Sequence, residues 1–160
     1  MIDTKLGTVR LLDTIPDQIL PSMTLLDLTR DVSKMRIGLQ PSGLMRRIAS
    51  AWVKPVSDLT CAECRMLAGQ RLGLHWLAGP VAVFVSRYPE AECDLFPGDM
   101  TVNALIAWRD IVQFAPNEAA LMLSVDFGRL RREAQVCENP TDRSEEHTSE
   151  LQSRFGISYA

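Results

Sequence analysis

The sequence predicts an all-α protein: a compact single domain of five to six short helices, with an irregular N-terminal arm and an irregular C-terminal tail. Three observations carry this expectation. Capping residues stand ahead of apolar stretches, most clearly in Thr60-Cys61-Ala62-Glu63, where the threonine oxygen can accept an orphan amide while Glu63 reaches back. Leu44, Ile48, Ala51 and Trp52 fall at i, i+4, i+7 and i+8, which gathers one helical stripe. Prolines and glycines then separate these stretches by loops of only a few residues.

The bulk composition narrows the function classes. A length of 160 residues suits one domain with a real core. Net charge is −3, so the chain as a whole offers no basic face for a phosphate backbone, and direct binding of nucleic acid is not expected. No run of about 18 uncharged apolar residues exists, so no membrane span is expected. The first residues, MIDTKLGTVRLLDTIPDQ, lack the basic-then-apolar order of a signal peptide. A cytoplasmic protein with reduced cysteines is the expectation.

One segment is set aside before any fold reasoning. Residues 143–153 read RSEEHTSELQS, which resembles the in-frame translation of a common sequencing-library adapter. Residues 143–160 are therefore read as a fusion scar, with the native chain expected to continue past about Pro140. His147 then carries no functional information.

In chain order, residues 1–22 are read as an N-terminal arm, because TVRLLDTI fits either a strand or a helical turn and Pro16 and Pro21 break the stretch after it. The helical domain spans residues 23–140. Ser22 is the expected cap of a short helix carrying Leu25, Leu26 and Leu28, and KMRIGLQPSG is a loop. Residues 42–54 form a helix ended by Pro55. The next helix runs from about Cys61 to Gln70 with Cys64, Leu67 and Ala68 inward, and Gly69 or Gly73 marks its exit. Residues 74–88 are apolar nearly all round and predict a central helix, with Pro80 in its first turn or splitting off a leading turn. The β-branched VAVFV also permits a buried strand, and the helical neighbours decide for helix. PEAECDLFPGD is a loop, and Asp99 or Gly98 caps a helix over residues 100–108 with Val102, Leu105, Ile106 and Trp108 as its apolar positions. Pro116-Asn117-Glu118 opens a last helix over residues 118–135, with Leu121, Met122, Val125 and Leu130 inward.

Candidate chemistry is sparse. Cys61-X-X-Cys64 has the helix half of a thioredoxin-like site but no evident preceding strand, and Cys93, Cys137 and His75 complete no recognisable zinc spacing. These cysteines are read mainly as packing residues, with a thiol or metal-binding protein using Cys61 and Cys64 as the alternative. His75 is the only histidine outside the scar, and no nucleophile elbow, phosphate loop or dinucleotide fingerprint appears. No enzyme, no catalytic residue, no cofactor and no metal are expected. The acidic loop is more informative: Glu90, Glu92, Asp94 and Asp99 lie close together without an intervening base, beside Leu95 and Phe96. Such a cluster suits a contact surface for a basic partner, whereas the structural alternative is a solvated loop with Asp99 as a cap and Phe96 in the core.

Taken together, residues 54–100 resemble immunity proteins of contact-dependent growth inhibition systems. The resemblance runs through Lys54-Pro55, Leu59-Thr60, Arg65, Leu67, Gly69-Gln70 and Gly73-Leu74, then Pro89, Glu92, Asp94 and Phe96-Pro97-Gly98-Asp99-Met100. With the leucine-rich segment at residues 24–27 and the helix at 42–54, it covers about residues 23–110. Cysteines at Cys61, Cys64 and Cys93 depart from the family pattern. The resemblance implies a small protein that binds the toxin domain delivered by a neighbouring bacterium and blocks it stoichiometrically. The implied partner is a cognate toxin C-terminal domain, such as a basic nuclease; the local acidity of the loop makes Glu90, Glu92, Asp94, Phe96 and Asp99 the expected contact residues. Oligomeric state is not implied, and a small α-helical adaptor is the competing reading.

Overall fold

Residues 81–85, the VAVFV segment, are helical and fully enclosed, and the rest of the domain is built around them. The computed structural model describes residues 5–36 and 38–128, and the chain is all-α over that span, with no strand among the described residues. Its helices are α1 (Leu11–Thr14), α2 (Leu25–Thr29), α3 (Gly43–Trp52), α4 (Cys61–Gly69), α5 (Leu74–Arg87), α6 (Asp99–Ile106), α7 (Trp108–Phe114) and α8 (Pro116–Met122). Two 3₁₀ turns, Val32–Met35 and Val56–Asp58, join α2 to α3 and α3 to α4. The described residues up to Val125 form one compact unit, and residues 126–128 belong to a second, in which the Gly128 amide donates to Asp126 Oδ1 at 2.8 Å. No helix among the described residues is long and apolar enough to cross a membrane.

The central helix α5 packs against α1, α4, α6, α7 and α8. It runs without a break from Leu74 through Pro80 to Arg87, which corrects the expected interruption at Pro80. A proline inside a helix costs about 3 kcal/mol. Leu77, Val81, Phe84 and Val85, all buried on this helix, each contribute about 1.5–3 kcal/mol and outweigh that cost. Gly73 starts α5 from a left-handed conformation at φ 68°, where a Cβ would also press on Leu25 at 3.1 Å.

The helix starts follow local chemistry. Thr60 and Glu63 form the expected capping box of α4, with Thr60 Oγ1 accepting the Glu63 amide at 3.2 Å and Glu63 Oε2 accepting the Thr60 amide at 2.9 Å. The first α4 amides, orphaned by geometry, are met by the N-terminal segment: Cys61 donates to Val9 O at 2.8 Å and Ala62 to Gly7 O at 3.2 Å. Residues 5–22 are irregular apart from α1, yet Leu11, Ile15 and Leu20 are buried in the core. The cap of α2 is Thr24 in a second capping box with Asp27, not Ser22.

Four helical details differ from expectation. The first turns of α3 stand in solvent: Leu44 is exposed, while Ala49, Ala51 and Trp52 carry the burial. Helix α6 buries Met100, Thr101 and Ala104 instead of Val102, Leu105 and Ile106, and the small Thr101 and Ala104 suit its packing on α4. Helix α7 occupies a stretch not expected to be helical beyond Trp108. Finally, α8 stops at Met122 with Leu121 exposed, so residues 123–127 and the half-buried Val125 do not continue the expected helix; its remainder from residue 129 to 135, with Leu130, and Cys137 and the adapter-like tail lie outside the described residues.

Candidate functional site

The loop between α5 and α6 is held by one carboxylate. Gly98, at φ 83°, turns the chain into α6, so that Asp99 becomes its first residue and not its cap. The Asp99 side chain points back into the loop and is fully buried. Its Oδ1 accepts the Cys93 amide at 2.9 Å, and its Oδ2 accepts the amides of Asp94 and Leu95, both at 2.8 Å. Three consecutive donors that would otherwise be orphaned are thereby satisfied by one acceptor-only group. Further bonds close the frame: Gly98 N to Ala91 O at 3.1 Å, Thr101 Oγ1 to Pro89 O at 2.7 Å, and Asn103 Nδ2 to Asp99 O at 2.8 Å. The N-terminal segment joins it through Leu6 N to Glu92 O at 2.8 Å.

The acidic side chains are less available than their number suggests. Asp94 Oδ2 accepts from Arg47 of α3 at 2.8 Å and from Arg65 of α4 at 3.1 Å. The Arg47 guanidinium, with Arg65 in support, holds the Asp94 carboxyl below the usual carboxylate range. Glu92 lies 3.9 Å from Lys5 Nζ. The Arg65 side chain is nearly enclosed; its Nε stands 3.9 Å from Asp99 Oδ2 and has no hydrogen-bond partner among the described residues. Of the residues singled out from the sequence, Glu90, Glu92, Asp94, Phe96 and Asp99 thus belong to one loop, with Asp99 as its internal anchor. Sequence reading missed Lys5, Arg47 and Arg65, the cations that neutralise it. Their distance along the chain left no local signal.

What the loop presents to solvent is apolar. Leu95 is 63% exposed and Phe96 is 45% exposed, although their backbone is pinned from below by Asp99. Phe96 is therefore not a core residue, which was the structural alternative for it.

The cysteines form a different kind of site. Cys61, Cys64 and Cys93 are all buried free thiols. Burial pushes the Cys64 thiol well up, and a hydrogen bond with Cys61, followed by burial, raises that of Cys93. Thiolate chemistry is disfavoured at both positions. Among the described residues no group of three His, Cys, Asp or Glu side chains is arranged to hold a metal ion. His75 is exposed and packs edge-on against Trp76 and Phe114, with ring centroids at 4.8 and 5.3 Å. Comparison with known families, with curated proteins and with solved structures finds no match to this chain.

Proposed function

We propose that the chain is a cytoplasmic immunity protein that binds a cognate contact-dependent growth inhibition toxin domain and neutralises it by stoichiometric blocking, without chemistry of its own. One observation carries the reading: the loop from Glu90 to Gly98 presents Leu95 and Phe96 in solvent on a backbone that Asp99 has already fixed. A protein that acts by blocking needs apolar or aromatic anchors whose ordering cost is met before the partner arrives. Glu90 and Glu92 lie beside these anchors as a polar rim, and Asp94 and Asp99 serve by holding the loop. The resemblance to immunity proteins supplies the class of partner.

Co-expression tests the reading. The full chain is produced in cells that also express the toxin domain encoded beside its gene. The expected result is rescue of growth, co-purification of the pair, and loss of both in a Leu95→Ala/Phe96→Ala variant that remains folded. Continued toxicity beside soluble, folded protein would overturn the assignment and favour an adaptor for another partner.

A further inference from the structure

We propose that α3 and the 3₁₀ turn Val32–Met35 form a second part of the docking face, and that the partner meets it with carboxylates around an apolar centre. The proposal deepens the immunity reading, on which the choice of the toxin domain as partner rests.

Charge sets this face apart. From residue 30 to residue 47 the chain carries Arg30, Lys34, Arg36, Arg46 and Arg47 against Asp31 alone. Among the described residues elsewhere, Arg10 holds Asp13 and Asp58, Arg71 holds Asp110, and Arg87 holds Asp17. Within the stretch, Lys34 is 3.8 Å from Asp31 and Arg47 is 2.8 Å from Asp94. Arg30, Arg36 and Arg46 have no carboxylate within 4.0 Å among the described residues, and neither has the separate Arg109 of α7. A partner's carboxylate can therefore reach these three guanidiniums without first breaking an internal pair.

The same surface is apolar between its charges. Leu44 and Met45 of α3 are exposed, as are Val32 and Met35 of the turn. The turn packs on α3, and Trp52 Nε1 donates to Asp31 O at 3.0 Å, which fixes the start of the turn against the end of the helix. Residues 38–42 lead into the start of α3, where Ser42 accepts the Met45 amide. Arg47, three residues on from Leu44, joins this face to the Leu95–Phe96 tip through Asp94.

The chemistry favours a protein. Methionine and arginine are enriched in protein interfaces, whose centres are apolar and whose rims are charged. A phosphate backbone would leave Leu44, Met45, Val32 and Met35 without a function, and residues 30–47 carry no aromatic ring on which a base could stack. Among the described residues, Asp13, Asp17, Asp58, Glu63, Asp94 and Asp110 already engage the chain's own cations, which leaves a second copy few carboxylates to offer.

Three measurements on the full chain decide the matter. Brief oxidation with hydrogen peroxide, read by peptide mass spectrometry, is expected to convert Met35 and Met45 to sulfoxides while the buried Met66, Met100 and Met122 resist. Resistance of Met35 and Met45 in the free chain would overturn the proposal, since the chain's own residues or a second copy would already cover the face. Affinity for the toxin domain is then measured for the wild type, Arg36→Glu/Arg46→Glu, Arg36→Gln/Arg46→Gln and Arg109→Glu. The charge reversal is expected to weaken binding by at least about ten-fold and to flatten its salt dependence, the neutral pair by less, and Arg109→Glu not at all. Wild-type affinity in the reversed variant would overturn the face and leave the immunity reading intact. The third measurement offers the chain a glutamate–leucine amphipathic peptide, a short DNA duplex and phosphatidylserine vesicles. Saturable binding of the peptide alone, with protection of Met35 and Met45, is expected. If the toxin domain fails to bind while the peptide does, the immunity reading falls and the acidic-partner face stands. Silence of the peptide, or preference for duplex or vesicles, would overturn it.

Discussion

Asp99 and Arg65 approach to 3.9 Å, yet the carboxylate spends its hydrogen bonds on the loop's own amides and not on the guanidinium. This arrangement makes Asp99 the residue on which the shape of the loop depends. A buried acceptor that serves three donors cannot be removed without leaving those donors unsatisfied, and each costs about 1–3 kcal/mol. Asp99→Ala is expected to lower unfolding free energy by at least about 3 kcal/mol in urea titration. Asp99→Asn keeps the volume but turns a donor toward amides, so it is expected to be destabilising as well. A loss below about 1 kcal/mol in both variants would mean that the loop is held by its other contacts.

Gly7 supplies a second test of the same frame from outside the loop. A Cβ at this position would stand 2.6 Å from the Cys93 carbonyl oxygen, a backbone atom that cannot rotate away. The neighbouring bonds, Leu6 N to Glu92 O and Ala62 N to Gly7 O, hold the segment at this close approach from both sides. Gly7→Ala is expected to destabilise by about 1–3 kcal/mol, in line with overpacking elsewhere. Hydrogen exchange should localise the change to residues 5–11 and the start of α4. Unchanged exchange there would show that the segment docks without needing the close approach.

The parts of this architecture legible in the sequence are those set by neighbours in the chain. Thr60 and Glu63 satisfy each other across three residues, so the start of α4 could be read directly. The same grammar is present at Thr24 and Asp27, where Ser22 is the more conspicuous cap by position. Faces of helices were harder. Large side chains do not always mark the inward face: on α6, which packs against α4, Thr101 and Ala104 take that place. The acidic loop was legible as a composition but not as a charge distribution. Whether Asp94 is free depends on Arg47 and Arg65, which lie on two helices whose placement is a tertiary fact.

The buried thiols predict chemical silence. Cys61, Cys64 and Cys93 are enclosed, and the thiols of Cys64 and Cys93 are shifted upward. Because the thiolate is the reactive species, alkylation by iodoacetamide near neutral pH should leave the peptides carrying these residues unmodified in the native protein. All three should be labelled rapidly in urea. Fast native labelling of Cys61 or Cys64 would reopen the thiol reading.

The ion pairs set the direction of the acid response. Arg87 donates to both oxygens of Asp17, at 2.5 and 2.6 Å, and Arg47 donates to Asp94 at 2.8 Å. Each guanidinium holds its carboxyl below the ordinary value, the Arg87 hydrogen bond being the main cause at Asp17 and that of Arg47 at Asp94. A carboxyl lowered on folding binds fewer protons in the native state than in the unfolded one. Its contribution is therefore complete above the unfolded value of about 3.9 and fades as the pH falls from there through the lowered folded value. Solvent screening keeps the Asp17 contribution small, since that pair is exposed. Asp94 is more enclosed and bridges α3 to α4, so Asp94→Asn should lower the urea midpoint near neutral pH. The difference from the wild type should hold constant down to about pH 5 and shrink below about pH 4. Parallel profiles through that range would show that the Asp94 carboxylate contributes nothing beyond what asparagine supplies, and that the junction between α3 and the loop is held by packing alone.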